Sequence, residues 1–219
     1  VLKDHFYHTF ESVKFIMRHI QPEHDFQAFG GLALNNSMGG LNPYAVELGV
    51  NAGVKVVWMP THSAENHIKL HQSQKDNFLF PRASTRLLSE KGITILQEDG
   101  KLKPEVNHIL EILAQYPEVI LATGHLTFNE ALTLLKHARK AGISRMMVNH
   151  PTFTMDGCSI LELKELTNEG ALIEHSAGMI HPDSQFYSIP AEKLVALIKE
   201  VGVEKTILSS DLGQLDNPL

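Results

Sequence analysis

The chain has 219 residues, 43% of them apolar, and a formal net charge of −6. That length suits one large α/β domain or two small ones, and the acidic balance argues against a nucleic-acid surface or an anionic membrane as partner. No run approaches the roughly 18 apolar residues of a membrane span, and the single cysteine, Cys158, excludes an internal disulfide and fits a reducing cytoplasm.

Val1–Lys3, two apolar residues running into a lysine, read as the tail of a strand. Thr9–His19 sets Phe10, Val13, Phe15, Ile16 and Met17 at helical spacing. Ala28–Leu34 reads as a strand. It runs into the loop Asn35–Pro43, whose glycines could expose backbone N–H groups to an anion or simply turn the chain. Pro43–Asn51 starts a helix with proline just inside and stops near Gly53. Lys55–Met59 is the next strand. A longer interval follows, from about residue 62 to 103. It contains the polar stretch His62–Asp76 and a hairpin of Ile93–Leu96 against Lys101–Lys103, and reads as an insertion serving as a lid or substrate loop.

Pro104–Gln115 is a helix, with Val106, Ile109, Leu110 and Leu113 inward, and Glu118–Thr123 is a strand. Thr127-x-x-Glu130 and Ser159-x-x-Glu162 are capping boxes ahead of helices, which Gly142 and Gly170 end. Arg145–Asn149, Ala171–Glu174 and Thr206–Ser210 complete the strands, with a helix at Pro190–Val201 before the last. The strands are short and apolar on both faces, as parallel strands covered by helices are.

This β-α alternation predicts a parallel α/β fold. The seven strands fit a single (β/α)8 TIM-type barrel domain over residues 1–219 that lacks strand one and the final helix. The sequence then reads as an internal piece of a longer chain. A doubly wound open sheet is the alternative, but no Gly-rich phosphate loop follows the first strand.

Histidine is the compositional outlier, at 13 residues. His125 closes the run EVILATG, His150 closes SRMMVN, and Asp211 closes KTILSS. In an α/β barrel the active site is built at the C-terminal strand ends, and two histidines with a carboxylate there are a ligand set for a divalent metal. Capping of a strand end by a hydrogen bond is the plain alternative for each. Lys3 and His5 share one parity, so both can point into the same mouth; His5 either contacts substrate or metal there or is a structural cap. Glu174 and His175 are adjacent, so only one of them faces it, and the order does not decide which. His62 follows a strand and either binds substrate or sits in a solvated loop. His67, His71, His108 and His137 read as solvated, and Trp58 as core.

These strand-end residues, with the segments VLKDHF, GGLALNNSMGGLNP, VVWMPT, ATGHL, NHP and SSDLGQ, resemble the amidohydrolase superfamily of metal-dependent barrels, and within it an uncharacterised cytosolic amidohydrolase-like family. With Val1–Lys3 as strand two, His125 falls on strand five, His150 on strand six and Asp211 on strand eight, the superfamily's order. The strand-one His-x-His pair is absent; His5-Phe-Tyr-His8 has the wrong spacing. The resemblance implies one or two divalent ions, zinc by default, with manganese, iron or nickel as alternatives. His125, His150 and Asp211 would be ligands. Asp211 would also be the general base toward a metal-activated water, acting on an amide, ester or phosphoester. Some members bridge two metals with a carboxylated lysine, usually on strand four. Lys3 lies on strand two and better suits a substrate carboxylate or phosphate. Lys3, His5, His62 and His175 are the expected substrate contacts. The partner is a small molecule, with neither nucleic acid nor membrane, and a homo-oligomer is open. A single-metal decarboxylase of the same superfamily, or a binding protein without metal, are the other readings.

Overall fold

The computed structural model of the protein describes residues 1–20, 25–73, 91–155, 158–184, 186–211 and 213. The middle of the expected insertion, 74–90, and the side chain of His71 lie outside the described residues. In chain order the elements are α1 (Phe10–His19), β1 (Gly31–Ala33), α2 (Pro43–Asn51), β2 (Val56–Trp58), α3 (Glu65–Ser73), α4 (Pro104–Leu113), β3 (Ile120–Ala122), α5 (Phe128–Lys140), β4 (Met146–Asn149), α6 (Pro151–Thr154), α7 (Ile160–Asn168), β5 (Ala171–Ser176), α8 (Ala191–Val201) and β6 (Thr206–Ser209).

The strands form one six-stranded sheet in the order β1-β2-β3-β4-β5-β6, every pair parallel. Each strand neighbours the next in sequence. The order never reverses, as it does in a doubly wound sheet. Val1–Lys3 is a correction. It forms no strand, and its backbone tie to this region is one bond from Leu2 N–H to the Phe29 carbonyl at 2.8 Å. Among the described residues six strands therefore stand where seven are expected.

Alternation along the strands divides the core. Leu32, Val57, Leu121, Val148 and Ile173 face the helices and join Val46, Ile109, Leu134, Leu135, Leu163 and Leu166 in the main cluster. Ala33, Val56, Trp58, Ala122 and Met147 form a second cluster on the other face. That inner face gathers aliphatic side chains around one indole, and a Cβ on Gly31 would strike the Trp58 ring.

The helix starts follow local chemistry. Asn42 caps α2, its Oδ1 accepting from Tyr44 and Ala45 N–H, with Pro43 at the first helical position. Both capping boxes form, at Thr127–Glu130 on α5 and Ser159–Glu162 on α7. The expected hairpin is present as an antiparallel bridge between Leu96 and Leu102. The polar stretch before it contains α3, a helix without an apolar stripe. Among the described residues no helix is long and apolar enough to cross a membrane.

Candidate functional site

Because every strand is parallel, their C-terminal ends share one edge. Asn35 stands there after β1, Thr61–Ser63 after β2, His125 after β3, His150 after β4, Glu174 near the end of β5 and Asp211 beyond β6. Asn35, fully buried, is the hub on the β1–β2 side. Its Oδ1 accepts from the N–H groups of Thr61 at 2.9 Å and Ser63 at 3.2 Å. Its Nδ2 donates to Thr61 Oγ1 at 2.7 Å and to the His5 carbonyl at 2.9 Å, drawing the N-terminal segment over the edge. His5 Nδ1 lies 2.7 Å from Thr61 Oγ1, and its ring meets those of His62 and His125 at 5.6 and 6.4 Å. Lys3 Nζ sits 5.4 Å from the Trp58 ring centre, a cation–π contact on the inner face. His62 is buried against Phe6, which excludes the solvated-loop alternative.

The backbone is unusual where the chemistry gathers. Among the described residues the only non-glycine positive φ angles are at His150, 24°, and Asp211, 49°. Such conformations cost on the order of 1–3 kcal/mol each and persist where surroundings over-determine them. Gly124, just before His125, has φ 60°, and a Cβ there would press into the carbonyl oxygens of Met59 and Pro60. That close passage sets the depth of His125, whose N–H bonds Pro60 O at 3.0 Å.

From these positions the imidazoles meet in a row. His67 Nδ1 lies 2.8 Å from His125 Nδ1. His125 Nε2 lies 3.2 Å from His150 Nε2. His150 Nδ1 lies 3.5 Å from Glu174 Oε2, an ion-pair distance longer than a good hydrogen bond. Glu174 Oε2 also accepts from Asn149 Nδ2 at 2.6 Å. His67, His125 and His150 are all at most 5% exposed. Burial, aided by the neighbouring histidines and Lys3, holds the His125 pKa well below the usual imidazole value; burial followed by Lys3 does the same to His5. His125 is thus neutral at pH 7, the form that can ligate a metal. Burial raises the Glu174 pKa, but His150, Ser209 and Asn149 outweigh it and bring it down to about 2.

The pair of Nε2 atoms fits a shared ion. Two nitrogens each about 2.0–2.1 Å from one tetrahedral zinc are about 3.3–3.4 Å apart, close to the 3.2 Å found. Among the described residues no group of three or more His, Cys, Asp or Glu is arranged to hold a metal, and no hydrogen bond or ion pair joins Asp211 to either histidine. The structure therefore brings together His125, His150, His5 and His62, with Lys3 beside them, and leaves Asp211 on the same edge with no hydrogen bond or ion pair to the two histidines among the described residues.

Two residues differ from expectation. His67, expected in solvent, is 5% exposed and bonded to His125. Of the adjacent pair on β5, Glu174 is the one that reaches the histidines. His175 shares the side of Ala171 and Ile173, which pack against helices, and neither of its ring nitrogens has a hydrogen-bond partner among the described residues. His108 and His137 are exposed, as expected.

The whole row from His5 to Glu174 lies within one matched stretch. The chain belongs to a family of unknown function, DUF6282, whose model matches residues 1–174. The matched span takes in Lys3, His5, His62, His67, His125, His150 and Glu174, and ends before His175 and Asp211. No curated protein matches the chain.

Proposed function

We propose that this chain folds as a (β/α)8-type barrel of the amidohydrolase type and is a metal-dependent hydrolase of a small-molecule amide, ester or phosphoester. His125 and His150 hold a divalent ion through Nε2, zinc by default, and Asp211 completes the ligand set and serves as general base. The observation that carries the reading is the 3.2 Å approach of two buried Nε2 atoms at adjacent strand ends. The one-directional strand order and the strained backbone at His150 and Asp211 support it.

Bound there, a divalent ion supplies Lewis acidity and a water that ionises near neutral pH. The remaining work belongs to the chain. Asp211 takes a proton from the attacking water and returns it to the leaving group. Lys3, seated on Trp58, offers its charge to a substrate carboxylate or phosphate. His5, fixed by Thr61, and the buried ring of His62 orient the substrate.

The test is metal analysis of the protein after loading with zinc, manganese or nickel, coupled to turnover of nitrophenyl esters, anilides and phosphoesters. His125→Ala should lose bound metal. Asp211→Asn should keep the fold and lose most turnover. Wild-type protein that retains no ion and turns over none of the panel would overturn the reading.

A further inference from the structure

We propose that Glu174 and His67 are positioning residues that set the tautomers of His150 and His125, so that both Nε2 lone pairs turn toward one ion. The inference rests on the metal reading above and extends it to two residues outside the ligand set. The argument is a count of protons. A neutral imidazole carries one N–H and one lone pair. Glu174 can only accept, and its carboxylate lies 3.5 Å from His150 Nδ1, a charge approach rather than a formed hydrogen bond; that charge favours the His150 proton on Nδ1 and leaves Nε2 bare. The His125 proton then has two places. On Nε2 it bridges to His150 across 3.2 Å. On Nδ1 it bridges to His67 across 2.8 Å, and the two bare Nε2 atoms face each other. Facing lone pairs repel unless a cation lies between them. His67, as the acceptor of that proton, makes the ligating tautomer of His125 available.

The surroundings hold both positioning residues in place. Asn149 Nδ2 grips the same Glu174 oxygen at 2.6 Å. On α3 the neighbour of His67, Asn66, donates to the carbonyls of His125 at 3.1 Å and Thr154 at 2.7 Å. The helix of the insertion is thereby fastened to the backbone that follows β3 and β4. All three imidazoles are buried, so water is a poor substitute for His67. Outer partners of metal-bound histidines carry weight: their loss typically weakens metal affinity about 10- to 100-fold.

Cobalt(II) titration of the full chain, read by its visible absorption, separates the outcomes. His67→Phe and Glu174→Leu should each weaken cobalt binding about 10- to 100-fold. His67→Gln, whose amide oxygen can accept from His125 Nδ1, should stay within a few-fold of wild type. If His67→Gln fails as badly as His67→Phe, the acceptor role is wrong. If wild type binds cobalt and none of the variants is weakened, the inference falls while the metal reading stands. If wild type binds no cobalt, both fall. Should a variant not fold, ring nitrogen NMR of zinc-loaded wild type decides: the expected result is Nδ1–H on both His125 and His150, and a proton on either Nε2 overturns the assignment.

Discussion

Asn149 and Glu174 are register partners across β4 and β5, and the amide of one donates to the carboxylate of the other at 2.6 Å. The same Asn149 accepts from Gly124 N–H at 3.0 Å. One buried amide therefore links the strand ends that carry His125, His150 and Glu174. Asn149→Leu leaves Gly124 N–H and a buried carboxylate without this partner. The expected cost is about 2–4 kcal/mol in urea unfolding, since stranding buried polar groups costs about 1–3 kcal/mol each and more when charged. A loss below about 1 kcal/mol would show that the link does not hold the edge.

Gly124→Ala should be severe for a different reason. The position has φ 60°, and the added Cβ meets two backbone carbonyls that cannot step aside as a side chain can. The left-handed conformation alone costs about 1–2 kcal/mol, so a total above about 2 kcal/mol is expected, with metal binding weakened because His125 follows directly. An unchanged unfolding midpoint would contradict the close packing.

Much of this layout is legible in the sequence, and the exceptions have physical causes. β1 to β5 are buried on most of their length, so they read as plain apolar runs. Val1 and Leu2 are apolar too, but a strand needs a hydrogen-bonded partner, which composition does not reveal. His125 and His150 stood out because each ends such a run. Glu174 did not, because Leu172 and Ile173 are both apolar and the alternation of β5 is ambiguous in sequence. His67 was hidden in a helix with no apolar stripe. α3 is fixed by polar bonds from Asn66 and His67 and carries a Glu65–Lys69 ion pair at 3.1 Å. Its one useful sign was the acidic residue in its first turn.

The described end of the insertion is anchored by a helix cap. Glu130 Oε1 accepts from Thr94 Oγ1 at 2.6 Å and Ile95 N–H at 3.1 Å, while Oε2 accepts from Thr127 N–H at 3.1 Å and Thr127 Oγ1 at 2.8 Å. Thr127→Ala removes only the cap, for about 1 kcal/mol. Glu130→Ala also strands the buried Ile95 N–H and should cost about 2–4 kcal/mol. Denaturant unfolding of the two variants side by side checks the ranking. Equal losses would mean that the cap alone matters and the hairpin is held by other contacts.

Stability should fall in acid, and His175 is the clearest cause. It is 3% exposed with no hydrogen-bond partner on either ring nitrogen among the described residues. Burial lowers its pKa to about 4, against a pull upward from Glu174 and a push downward from His150. An unfolded histidine titrates near 6.5. Between about 6.5 and 4 the unfolded chain therefore binds a proton that the folded one does not, so stability rises with pH across this window. The contribution is fully present above 6.5 and is lost as pH falls toward 4, by at most ~1.4 kcal/mol per pH unit. His5 and His125, also lowered by burial, act with the same sign. His175→Phe removes one of these protons and should flatten the acid limb, measured by urea unfolding with a chelator present at pH 7, 6, 5 and 4.5. A slope identical to wild type would mean that the buried imidazole takes up its proton without unfolding.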